Sequence, residues 1–167
     1  MGVLLKGVSG VRWGELRDAR KDRAGGIPAL LARIAYADEE TARFAIDDLG
    51  DLVCELGFVV GEATAPTVPF LLELAGAPHT SCKAELLALL QRICRTDQWH
   101  SAAAAARKDG YEANYREQPR WEAAARAAVH AGRPVIERLA ASARPEEAAP
   151  ARELLRLMDE VAPFLKP

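Results

Sequence analysis

Residues Asp38–Leu56 read DEETARFAIDDLGDLVCEL, and the division of this stretch into two faces decides the fold. Apolar residues recur at Ala42, Ala45, Ile46, Leu49, Leu52, Val53 and Leu56, the i, i+3, i+4, i+7 spacing of a helix with one buried stripe. The spacing predicts a helix over Glu39–Leu56. At about 100° per residue, Asp47, Asp48, Asp51 and Glu55 gather on the opposite face. Phe44 falls in the middle of those acids, where a core aromatic is not expected.

Working outward, the chain repeats this logic. Ile27-Pro28-Ala29-Leu30-Leu31 opens a helix before the quoted stretch, with Pro28 tolerated in its first turn. Val68-Pro69-Phe70-Leu71-Leu72 returns 41 residues later, with Thr64 or Thr67 as the expected cap. A second amphipathic helix, Ser81–Cys94, turns Leu86, Leu87, Leu90 and Ile93 inward. A third copy reads Arg133-Pro134-Val135-Ile136, breaks at Pro145, and continues from Ala148 to Val161. Helix pairs recurring at about 40 residues, each unable to bury its own apolar face, are the signature of an α-solenoid.

The remaining segments are placed around these pairs. Met1–Gly10 reads as a flexible lead-in and 11–24 as a capping helix with Trp13 and Leu16 inward. Repeat 1 spans 27–56 and repeat 2 spans 64–95. Thr96–Gln118 is an insertion without a clean period, carrying Trp99, His100, Tyr111 and Tyr115 and a short alanine helix at Ser101–Arg107. Trp121–His130 is a linking helix that leads into repeat 3, so 119–163 closes a single domain.

At this point the chain resembles the HEAT-repeat proteins. The residues that carry the likeness are Ile27-Pro28-x-Leu30-Leu31, the turn Ala37-Asp38-x-x-x-Ala42-Arg43, and Ala45-Ile46-x-x-Leu49. It is most similar to small actinobacterial HEAT-like proteins with a central EATAPTVPFLLEL helix, here Glu62–Leu74, and a Trp-led helix before the last repeat, here from Trp121. The resemblance spans roughly Trp13 to Val161 and implies an all-α, right-handed solenoid of about three helix pairs. Most members have no assigned activity, so it implies a fold and little chemistry.

Composition agrees with one globular domain of 167 residues, 50% hydrophobic and 28% charged. A formal charge of −2 argues against bulk nucleic-acid binding, which needs a basic surface. Charge is uneven, however: Met1–Gly26 holds six Lys/Arg against three Asp/Glu, and Ile27–Ala63 two against eight. Cys54, Cys82 and Cys94 lack C-x-x-C spacing and sit in apolar helical patterns, the placement of buried reduced thiols. Val3-Leu4-Leu5 is too short for a secretory core, and no stretch reaches the roughly 18 apolar residues of a membrane span. The cytoplasm is the expected location.

Catalytic constellations are thin. His79, His100 and His130 are far apart, and none pairs with a cysteine or another histidine at metal-ligand spacing. No nucleophile elbow, phosphate loop or zinc helix motif occurs. No cofactor or metal is expected. The row Asp47, Asp48, Asp51, Glu55 stands out because like charges at i, i+4 destabilise a helix by a few tenths of a kcal/mol each. With Phe44 inside it, this face has the make-up of an interface, an aromatic anchor within a charged rim. The competing reading is that Phe44 packs under a neighbour and the acids keep the protein soluble.

Trp99, His100, Tyr111 and Tyr115 form the second candidate surface, lining a pocket or covering the flank of repeat 3. The expected function is therefore a non-catalytic scaffold that binds a protein with a basic surface, concretely an immunity or antitoxin-like inhibitor of a basic bacterial effector. The alternative is a helical-repeat enzyme or small-ligand binder using the aromatic insertion.

Overall fold

Asp38 sets where the central element of the sequence reading begins. Its carboxylate accepts from the Thr41 backbone N–H at 2.8 Å, filling one of the donors that every helix start leaves open. From there α2 runs Glu39–Val53 and buries Ala42, Ala45, Ile46, Leu49 and Val53. A computed structural model describes residues 4–164 of the chain. Around α2 stand α1 (Ile27–Tyr36), α3 (Thr64–Gly76), α4 (Lys83–Arg95), α5 (Gln98–Lys108), α6 (Gln118–Ala131), α7 (Arg133–Ala140) and α8 (Pro145–Glu160). Short 3-10 turns occur at Val8–Gly10, Trp13–Glu15 and Glu112–Tyr115. The described residues are all-α, with extended pairing confined to isolated bridges at Arg17–Arg23 and Glu55–Val59. Among them no helix is long and apolar enough to cross a membrane.

The core is organised around α4, which touches α2, α3, α6 and α8. Leu86, Leu87, Leu89, Leu90, Ile93 and Cys94 are fully buried along it. Leu89 widens the stripe that the sequence predicts, because α4 is covered from several sides rather than one. Each such leucine contributes about 1.5–3 kcal/mol relative to remaining in water. α1 packs on α2 and α7 on α8, while α3 meets α1, α4, α6 and α7.

The structure departs from the sequence reading mainly where elements end. Residues 11–24 do not form a capping helix. The Asp18 carboxylate accepts from the backbone N–H of Arg20 at 2.8 Å and of Asp22 at 3.1 Å, a local closure that competes with helix formation. The coil is wedged between the end of α2 and the start of α3: Ala19 N–H donates to Leu52 O at 2.7 Å and Ala63 N–H to Arg17 O at 2.9 Å. A Cβ at Gly61 would lie 2.5 Å from the Asp18 carbonyl carbon, so only glycine fits there. Trp13 is buried as expected, and its Nε1–H donates to Val8 O at 2.9 Å.

The lead-in is also docked. Leu4, Leu5 and Val8 pack on the core, and Leu5 N–H donates to Glu73 Oε1 at 2.8 Å; Met1–Val3 lie outside the described residues. α2 stops at Val53, three residues short of the predicted end. Leu56 and Gly57 take φ of 55° and 83°, turning the chain tightly so that Glu55 and Val59 exchange backbone hydrogen bonds at 2.7 and 3.0 Å. The turn carries Leu56 out of the predicted core stripe and leaves it 78% exposed.

Neither threonine caps α3. Thr64 Oγ1 accepts from Gly61 N–H and donates to Val53 O, and Thr67 Oγ1 donates to Ala63 O. Both hydroxyls serve buried joints instead. Nearly half of the 96–118 segment is α5, longer at both ends than the alanine helix expected there, and a 3-10 turn at Glu112–Tyr115 follows it.

Candidate functional site

The outer face of α2 is as open as its pattern implies. Phe44 is 62% exposed, and Asp47, Asp48 and Asp51 are exposed beside it, with Glu55 half-buried. The row has a cation at one end. Arg20, brought in by the Asp18 coil, lies 3.8 Å from Asp51 and 3.9 Å from Glu55. Pairs this exposed contribute about 0–1 kcal/mol. Arg92 joins Asp47, Asp51, Cys54 and Leu56 around an open hollow of about 330 Å³. Arg43 faces elsewhere, bonded to Glu39 at 2.9 Å and to Glu85 at 3.3 Å. Among the described residues Asp47 and Asp48 have no ion-pair partner, so uncompensated negative charge is concentrated beside Phe44.

The aromatic segment is built quite differently. Glu122 on α6 is fully buried. Its carboxylate accepts from the backbone N–H groups of Trp99 and His100, both at 2.9 Å, and from His100 Nδ1 at 2.6 Å. A carboxylate thereby fills the open donors of the first turn of α5, where the helix dipole favours an anion. One turn further along α6, Arg126 is 7% exposed. Its Nε donates to Cys94 O at 3.0 Å, Nη2 to Thr96 O at 2.8 Å and Nη1 to Ala162 O at 3.3 Å. Burial lowers the Arg126 pKa from its ordinary value; the carbonyls at the end of α4 stabilise the guanidinium that burial disfavours.

The C-terminal segment completes this cluster. The Phe164 ring stacks on the His100 imidazole at 3.5 Å and 3°, and the Arg126 guanidinium carbon sits 3.6 Å from the same ring centroid. His130 Nε2 donates to Val161 O at 2.8 Å. Trp99 donates from Nε1 to Val60 O at 2.8 Å, and its ring is 6.3 Å from that of Tyr115. Trp99, His100 and Tyr115 are thus held against the body, whereas Tyr111 is 64% exposed.

Glu122 and Arg126 are each engaged by backbone groups of the fold. All of Glu122's contacts close the start of α5, and the imidazole it orients is covered by Phe164. Burial raises the Cys94 thiol pKa and pushes the Cys54 thiol up to about 11, so neither supplies a thiolate at neutral pH. Lys83 is buried too, donating from Nζ to Ala75 O at 2.7 Å and to Ala77 O, where a cation suits the C-terminal end of α3. Among the described residues no three His, Cys, Asp or Glu side chains gather as a metal site requires.

Glu122, Arg126 and Phe164 have no role in the sequence reading. A signal for the first two exists: Glu122, Ala125, Arg126 and Val129 form one i, i+3, i+4, i+7 stripe, which places two charges on a buried face. No protein family, curated protein or solved structure matches the chain.

Proposed function

We propose that this chain is a non-catalytic scaffold that binds a basic protein through the outer face of α2. The observation that carries the reading is Phe44, 62% exposed beside two aspartates without cation partners. A ring this exposed contributes little to folding, while at an interface it supplies an anchor within a charged rim. Unpaired acids attract a basic partner over distance and so raise its association rate. An immunity or antitoxin-like inhibitor of a basic effector, working in the cytoplasm, is the concrete form of the proposal.

The HEAT-like, right-handed solenoid belongs to the same proposal. It draws support from α1 on α2, α3 on α4 and α7 on α8, and from contacts that run between α2, α4 and α8. A pull-down from the native host tests the docking face, repeated with Phe44→Ala and with Asp47→Asn/Asp48→Asn. The reading expects one protein to be lost in both variants and its retention to weaken as salt rises. Equal recovery by all three proteins, independent of salt, would refute it.

A further inference from the structure

Val161 leaves α8 with φ −115° and ψ 83°, and the segment to Phe164 lies across α5 and α6. The side chains that hold it come from elsewhere in the fold. His130 takes the Val161 carbonyl at 2.8 Å, Arg126 takes the Ala162 carbonyl at 3.3 Å, and His100 and Arg126 take the Phe164 ring. Two groups each about 3.5 Å from one ring centroid must lie on opposite faces, so the ring is sandwiched. What is gripped is generic: two successive carbonyls and, two residues on, a flat ring.

Two of the slot's three side chains are held independently of its occupant. Arg126 is fixed by Cys94 O and Thr96 O, and the His100 ring by Glu122. The occupant itself is lightly covered, with Ala162 and Pro163 exposed and Phe164 only half-buried. A preorganised host holding a shallow guest is the arrangement that lets a ligand exchange at little reorganisation cost.

We propose that this slot is a docking site for an extended peptide of a partner protein, anchored by an aromatic side chain, and that Val161–Phe164 occupies it in cis until displaced. The site is formed by α5 and α6 and is independent of the proposed role of α2. The test uses a fluorescein-labelled peptide VAPFLKP, the sequence of 161–167, titrated into the full chain carrying Phe164→Ala and followed by anisotropy.

Saturable binding is expected. It should weaken at least roughly tenfold in the wild type, where the tethered tail competes at an effective concentration in the mM range. Replacing the peptide's phenylalanine by alanine, or adding His100→Ala to the protein, should weaken it by a similar factor. Absence of binding to Phe164→Ala would overturn the proposal, as would binding indifferent to the peptide's phenylalanine or a wild-type tail that about 10 mM peptide fails to displace. If Phe164→Ala loses its helical circular dichroism, Phe164→Leu replaces it. Loss of fold in that variant too makes the tail an obligatory part of the core and equally overturns the proposal.

Discussion

The outer face of α2 and the α5–α6 cluster both concentrate charge, but they use it in opposite ways. On α2 the acids stand in water, and their nearest cation reaches two of them across 3.8 and 3.9 Å. In the cluster, Glu122 and Arg126 are buried one helical turn apart, and each binds several backbone groups at 2.8–3.3 Å. Water screens the first set, so those side chains are worth little to the fold and remain available to something outside it. The second set has lost its water, and every contact it makes replaces a hydration partner. The charge that stabilises this protein is buried, and the charge proposed to attract a basic partner stands in water.

The comparison breaks or holds first at Glu122. Glu122→Ala leaves the Trp99 and His100 N–H groups and the His100 ring without their acceptor, and at about 1–3 kcal/mol per unsatisfied group about 3–5 kcal/mol of stability should be lost. In a thermal melt, at roughly 2–4 °C per kcal/mol for a chain of this size, the midpoint should fall by about 10 °C or more. A shift of a degree or two would mean that the cluster is as dispensable as the α2 face.

Lys83 comes next. Lys83→Met strips the Ala75 and Ala77 carbonyls of their donor and should cost about 1–3 kcal/mol in urea unfolding at neutral pH. Burial lowers the Lys83 pKa below its ordinary 10.5. Between the two values the unfolded chain binds more protons than the folded one, so stability contributed by this group rises with pH across that window. The wild type should show that rise and Lys83→Met should not; identical pH profiles would exclude Lys83 as the titrating group.

Asp38 is exposed but holds a defined contact, which places it between the two regions. Asp38→Ala should lower the melting midpoint by a few degrees, and Asp38→Asn, which keeps an acceptor oxygen, by less. The hydrogen bond from Thr41 lowers the Asp38 pKa below 3.8. The charge-dependent part of its contribution is therefore complete above 3.8 and disappears as pH falls through the lowered folded value. Melts of wild type and Asp38→Ala should converge in that acid range. The smallest effect belongs to Asp47→Asn/Asp48→Asn, within about 0.5 kcal/mol of wild type and toward higher stability as like-charge repulsion is relieved. A loss comparable to that at Glu122 would show these acids to be part of the structure.

Helix existence was legible in the sequence because apolar spacing along α1, α2, α3, α4 and α8 is a local property of each segment. Element ends were not, since they depend on groups that meet only after folding. Leu56 fits the stripe of α2, yet the turn formed with Val59 removes it. The 11–24 segment has helical spacing, yet Asp18 closes on its own backbone and the coil docks on Gly61. Phe44 and the acids were legible as a surface because a helical wheel places them. Glu122 and Arg126 are not legible as buried groups because charged residues on a wheel read as solvent-facing, and their partners lie some 20 to 40 positions away. Phe164 carries no period at all, and only the folded chain shows what its ring rests on.

The position of α4 at the centre of the helices bears on the order in which the chain can mature. Its leucines need α8 as one of their covers, and α8 begins at Pro145, fifty residues after α4 ends at Arg95. At about 5–20 residues per second, a ribosome needs roughly 3–10 s to add that much chain. During that interval the leucine stripe of α4 stays open on one side, while α1 and α2 already have each other. The newborn chain is thus most open to self-association between the synthesis of α4 and that of α8, with the α1–α2 pair formed and α4 still partly uncovered.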